Sequence, residues 1–144
     1  MSIFDKGSAE RLSRAHPLLQ QLMNEAIKRA SFMILDSQRG KAAQELAFQQ
    51  KRTKVHFGQS AHNWSPSIAL DIAPLPVNWK NTKPFIALGQ QVILPIARDM
   101  KIPIRWGADW NMNSILTDES FVDMPHYELH PWRKWAKKSK LFQG

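Results

Sequence analysis

Five histidines and no cysteine occur in this 144-residue chain, so any metal site must be built from imidazoles and carboxylates. Two stretches bring such groups together. In "SAHNWSPSIALDIAP", Ser60 to Pro74, His62 stands before a loop and Asp71 in the middle of an apolar strand. A carboxylate fits poorly in mid-strand, and its neighbours on the same face, Ala69 and Ala73, leave it room. The second stretch, "DMPHYEL", holds Asp123, His126 and Glu128. Along a straight strand Asp123 and His126 would face opposite ways, but Pro125 argues for a bend, and a turn brings residues three apart together. Two histidines and one carboxylate suit a catalytic zinc with water in its fourth position. A further carboxylate can act as general base on that water. On this reading His62, Asp71 and His126 are ligands and Asp123 is the base. The competing reading is that each is an ordinary surface or hydrogen-bonded residue.

The remaining histidines are weaker candidates. His16 precedes Pro17 at a helix start and reads as a capping or surface residue. His130 follows His126 at helical ligand spacing, but Pro125 and Pro131 oppose a helix there. His56 lies close enough to line a cleft without touching metal. Trp64, Trp79, Trp106 and Trp110 suit either a groove for an extended peptide or, more commonly, core packing.

The elements that must position these groups follow from periodicity. "HPLLQQLMNEAIKRA" has a helical apolar stripe, with Pro17 in the first turn. "SFMILDSQRG" reads as a buried strand running into a turn, and "KAAQELAFQQ" as a second helix. Polar loop from Lys51 to Pro66 leads into the strand Ile68 to Ala73. A third helix spans about Lys83 to Met100, kinked by Gly89 and Pro95. "KIPIRWGADW" and "PHYEL" supply further strands. "HPWRKWAKKSKLFQG" ends the chain as a small basic helix or a loose tail. If helical, it carries Trp132, Trp135 and Phe142 near one side. Mixed helices and strands without βαβ alternation predict an α+β class, with a small antiparallel sheet and packed helices in one domain over residues 1–144.

Composition is that of a globular protein, with 43% hydrophobic and 22% charged residues. The N-terminal residues lack a signal-peptide pattern, which predicts synthesis in a cytoplasm. The net charge of +8 favours an anionic partner. Basic residues concentrate at Arg133, Lys134, Lys137, Lys138 and Lys140, where anionic lipid or wall polymer is the expected contact and solvated lysines closing the domain the alternative. No nucleic-acid motif is present, so that partner is not expected. Acidic residues from Asp109 to Glu119 offer a second reading, a hard cation such as calcium, against a solvated loop. A monomer is the default.

The paired stretches resemble the Ser-x-His…Ala-x-Asp and Glu/Asp-x-x-His signatures of the zinc D-alanyl-D-alanine carboxypeptidases and dipeptidases. That family includes the L-alanyl-D-glutamate endopeptidases used as endolysins by phages. The second signature follows a Trp-Gly segment like "IRWGADW". The resemblance implies a hedgehog/DD-peptidase-like fold, with His62, Asp71 and His126 binding Zn2+ and Asp123 as catalytic base. It also implies an oxyanion-stabilising arginine at Arg39, a nearby glutamine at Gln44, and a serine near the substrate at Ser60. The bland alternative for Arg39 is a surface residue at a turn. One departure is visible: "NWSPS" replaces a shorter, glycine-containing spacer between His62 and Asp71. The implied activity is cleavage of the L-alanyl-D-glutamate bond of bacterial peptidoglycan by a phage lysin, made in the host cytoplasm and acting on the periplasmic wall. A D-alanyl-D-alanine carboxypeptidase, or a zinc- or wall-binding module without catalysis, stays open.

Overall fold

The computed structural model describes residues 2–144. Helices α1 (Lys6–Ser13) and α2 (Pro17–Ala26) lead into strand β1 (Phe32–Asp36) and helix α3 (Lys41–Gln49). A 3-10 turn (Ala61–Asn63) and the short β2 (Trp64–Ser65) precede β3 (Ala69–Pro74). Helices α4 (Lys83–Ala87) and α5 (Leu94–Asp99) are joined by a π-helical segment (Leu88–Ile93), and β4 (Ile104–Trp106) follows. After a long loop come β5 (His126–Leu129), α6 (Trp132–Ala136) and β6 (Lys140–Leu141). The class is α+β. Four strands form an antiparallel sheet in the order β1-β3-β5-β4, and β2 pairs with β6 in a second, two-stranded sheet.

Strand alternation gives the main sheet two different faces. Ile34 pairs with Ile72, Leu70 with Tyr127, and Ile104 with Leu129. These apolar residues are buried with Leu19, Leu22, Met23, Ile93 and Ile96 of the helices in one cluster. The kinked third helix holds a π-helical bulge, Leu88–Ile93, that begins beside Gly89. A Cβ on Gly89 would lie 2.6 Å from the Trp106 ring and 2.8 Å from the Tyr127 hydroxyl, so only glycine lets the helix lie this close to the sheet.

The opposite face carries polar groups in register. Asp36 stands opposite Asp71, Asp71 opposite His126, and Arg105 opposite Glu128. Ala69 faces Glu128 and supplies space beside this row. A bulge between Ile34 and Asp36 shifts the pairing by one residue. Without it Asp36 would follow Ile34 toward the core; the extra residue turns it to the polar face.

The C-terminal segment departs from expectation. Its helix ends at Ala136, and Phe142 lies beyond β6, so Trp132, Trp135 and Phe142 do not share a helix side. Nor is it a loose tail. The Phe142 amide donates to the Asn63 carbonyl at 2.8 Å, and the Lys41 amide to the Gln143 carbonyl at 3.0 Å. Pairing with β2 supplied backbone partners that a longer helix could not reach. Helix α1 has no matching apolar stripe in the sequence. Its polar composition hides the few residues it buries, Ser8 and Leu12.

Candidate metal centre and active site

The row of polar side chains ends in a cluster of three. His62 Nε2 lies 3.1 Å from Asp71 Oδ1 and 3.2 Å from His126 Nδ1, and His126 Nδ1 lies 3.2 Å from Asp71 Oδ1. Asp71 and His126 reach this point because β3 and β5 pair them directly. His62 arrives from the 3-10 turn, which Ser60 caps by accepting the His62 amide at 3.2 Å. The Asn63 side chain completes this turn. Its Oδ1 accepts the amides of Gly58 and Ser60, and its Nδ2 donates to the Arg39 carbonyl at 3.0 Å.

The outer nitrogens of both rings are engaged. His62 Nδ1 meets the Ser37 carbonyl at 2.7 Å and must donate to it, so in the neutral ring Nε2 is a lone pair directed inward. His126 Nε2 meets Glu128 Oε1 at 2.7 Å. Glu128 is in turn held through Oε2 by Arg105 Nη2 at 2.8 Å. Two imidazole nitrogens and a carboxylate oxygen therefore converge on one point. Their separations match the edge of a tetrahedron with metal–ligand bonds near 2.0–2.1 Å, about 3.3 Å. His62, Asp71 and His126 fit a divalent ion on the chemistry of their donor atoms and on this spacing, and they form the metal-competent group found among the described residues.

Charges in the cluster are strongly interdependent. Burial alone would push the His126 imidazole down, but hydrogen bonds to Asp71 and Glu128, and the charges of both, lift it to about 10. Burial would likewise raise Asp71, yet the charge of His62 and hydrogen bonds from both rings hold it well below the usual carboxylate range. With no ion, a proton on His126 relieves the crowding of acceptors. A divalent ion held by these residues would take the place of that proton. Glu128 is the functional residue that sequence reasoning passed over. Its signal was present: two positions after His126, it shares that residue's strand face. Glu128→Gln should weaken divalent-ion binding about 10–100-fold, as measured by competition with a chelator of known affinity.

Asp123 lies where the predicted bend places it. The His126 amide donates to the Asp123 carbonyl at 3.1 Å, closing the turn around Pro125. Gly107 clamps this turn, accepting the Asp123 amide at 2.8 Å and donating to the His126 carbonyl at 2.7 Å. A side chain on Gly107 would run into the Asp123 carbonyl. The Asp123 carboxyl is pushed up, first by burial and then by the negative charge of Asp71.

Arg39 is held by its neighbours rather than free at a turn. Its Nη2 pairs with Asp36 Oδ2 at 3.1 Å and Asp71 Oδ2 at 3.4 Å, and its Nη1 donates to Gln44 Oε1 at 3.2 Å. Gln44 is fully buried, and its Nε2 donates to the Val55 carbonyl at 2.8 Å. The structure thus sets Gln44 behind Arg39, outside the cavity wall. Ser60, by contrast, lines the cavity.

That cavity, of about 860 Å3, opens over the cluster and is lined by His62, Asp71, His126, Asp123 and Arg39. Trp79, Trp110 and Trp132 also border it, while Trp106 is buried in the core. Trp64 packs against that core and does not border the cavity. His56 does not line the cleft: it is exposed, with Nδ1 on Glu45 Oε2 at 2.8 Å and its ring against Phe48. His16 caps α2, accepting the Leu18 amide at 3.1 Å. His130 stands outside the metal-competent group. The acidic loop closes on itself: Asp109 accepts the amides of Asn113 and Ser114, and Asp118 the side-chain amides of Asn111 and Asn113.

No helix among the described residues is long and apolar enough to cross a membrane. No curated protein matches the chain. The fold is similar to that in "Crystal structure of Serratia marcescens L-Ala D-Glu endopeptidase ChiX", with a TM-score of 0.71 and 21% sequence identity over 94% of this chain and 95% of that one. The family described as phage L-alanyl-D-glutamate peptidase matches residues 1–130, and the chain, with its His-Asp-His cluster, belongs to that family.

Proposed function

We propose that this L-alanyl-D-glutamate peptidase works with a single zinc ion held by His62, Asp71 and His126. The observation that carries this reading is the convergence of three lone pairs at 3.1–3.2 Å, each ligand fixed from behind by Ser37, Glu128 or the sheet register. When bound, the ion supplies Lewis acidity toward the scissile carbonyl and lowers the pKa of its water. Asp123, with its raised pKa, takes a proton from the attacking water and returns it to the leaving amine. Arg39, anchored by Asp36 and Gln44, presents positive charge toward the oxygen of the scissile carbonyl as negative charge develops there. Ser60 both caps the His62 turn and lines the wall that meets substrate. Calcium has no supporting observation in the acidic loop, whose carboxylates are spent on its own amides.

The substrate implied by the family is peptidoglycan, and the site of action proposed is the periplasmic wall layer of the host. Exposed Arg133, Lys134, Lys137 and Lys138 offer that wall, or the anionic lipid beneath it, a basic face.

Purified peptidoglycan digested by the zinc-loaded protein should yield fragments with new L-alanine carboxyl and D-glutamate amino ends, identified by mass spectrometry. A chelator should stop the digestion, and added zinc should restore it. Release of D-alanine instead would move the activity to a carboxypeptidase, and digestion indifferent to chelation would remove the metal.

A further inference from the structure

The cavity is lined by cationic side chains of two kinds. Arg39 and Arg105 are already paired with carboxylates, the first with Asp36 and Asp71, the second with Glu128. Lys51, Arg52 and Lys54 border it too, and none of the three meets a carboxylate among the described residues. Arg52 turns its Nε to Gln50 Oε1 at 2.9 Å. Lys54 carries its ammonium 4.9 Å from the centre of the Phe121 ring. That cation–π contact fixes the position of Nζ without using up its hydrogen-bond donors. Phe121 is two residues before Asp123, and both border the same cavity as Lys54.

The chemistry of the substrate calls for a cation at this place. Cutting an L-alanyl-D-glutamate bond releases the amine of a residue that has two carboxyl groups. The peptide can continue through only one of them. The other is a free anion a few bonds from the leaving nitrogen, the atom to which Asp123 returns its proton. A charge-assisted contact there needs a donor on the Asp123 side of the cavity with no acid already bound to it. Lys54 meets both conditions.

We propose that Lys54, with Arg52 bordering the same cavity, receives this free carboxylate and makes the site selective for an acidic over an amidated residue on the leaving side of the bond. The proposal rests on the bond and on the role of Asp123 given under the proposed function.

Zinc-loaded, full-length protein can be assayed on two soluble peptides that differ only in whether that carboxyl of the D-glutamyl residue is free or amidated. The unaltered protein should favour the free acid about tenfold in kcat/KM, the worth of one charged contact. Lys54→Gln should bring the ratio near one, chiefly through a higher KM for the acid. Lys54→Arg should retain much of the preference, and Lys6→Gln, on the exposed side of α1, should retain all of it. Equal cleavage of both peptides by the unaltered protein, or a Lys54→Gln ratio that stays near ten, would overturn the proposal. If the unaltered protein cuts neither peptide, the bond assignment fails and this inference goes with it.

Discussion

Asp123→Asn should lower kcat by roughly 10²–10⁴-fold while the protein keeps one zinc per chain and an unchanged fold. Asparagine preserves the size of the side chain and the backbone bonds of the 123–126 turn, which Gly107 and His126 make with main-chain atoms alone. What it loses is the capacity to accept a proton. Burial and the charge of Asp71 push the Asp123 carboxyl above the ordinary carboxylate range, the direction that strengthens a general base. Metal content by elemental analysis and turnover on purified peptidoglycan separate this from a structural effect. A zinc-loaded variant with undiminished turnover would remove Asp123 from the mechanism. A purely binding domain needs no base in its cavity, so the same experiment separates catalysis from recognition.

The second large effect concerns His126. His126→Gln should lose both the ion and all measurable cleavage, since it removes one of three donors and takes the imidazole from the buried Glu128 Oε1. The unaltered protein should show a distinctive pH dependence of ion uptake. Below about 10 the metal-free His126 carries a proton that Asp71 and Glu128 stabilise. Zinc must expel it, so apparent affinity should rise about tenfold for each unit of pH through neutrality toward that value. The same raised pKa stabilises the metal-free fold, fully below the unfolded histidine value of about 6.5, and this support is lost as pH rises toward 10. Titration calorimetry in buffers of different protonation enthalpy would reveal the released proton. Uptake independent of pH would mean that His126 is already neutral in the metal-free protein.

Much of the site was legible because its residues are costly where they stand. A carboxylate between alanines in the Ile68–Ala73 strand, and a proline between Asp123 and His126, each made a local anomaly that only function explained. The helix kink at Gly89 was legible for a similar reason, since glycine and proline inside a helical stripe mark an interruption. Other features left no local trace. The bulge that turns Asp36 toward Arg39 adds one ordinary leucine, and its effect exists only in the pairing with β3. Gln44 carries the same side chain whether it meets substrate or props an arginine, and burial alone told the two apart. The basic end of the chain misled because its spacing admits a helix. The decisive contacts, to Asn63 and Lys41, come from distant sequence. The Ser37 carbonyl that orients His62 is backbone, which no composition can reveal.

The three donors come from a capped turn and two neighbouring strands, and the first and last are separated by 64 positions in the chain. An ion gripping all three is therefore a clasp across nearly half of the polypeptide, formed only when β3 and β5 are matched as Asp71 to His126. Free zinc at a hundred times its dissociation constant would add about 2.7 kcal/mol to the folded state. Melting temperature should then climb with zinc supply, and metal uptake during refolding would count the molecules whose strands have found their proper partners.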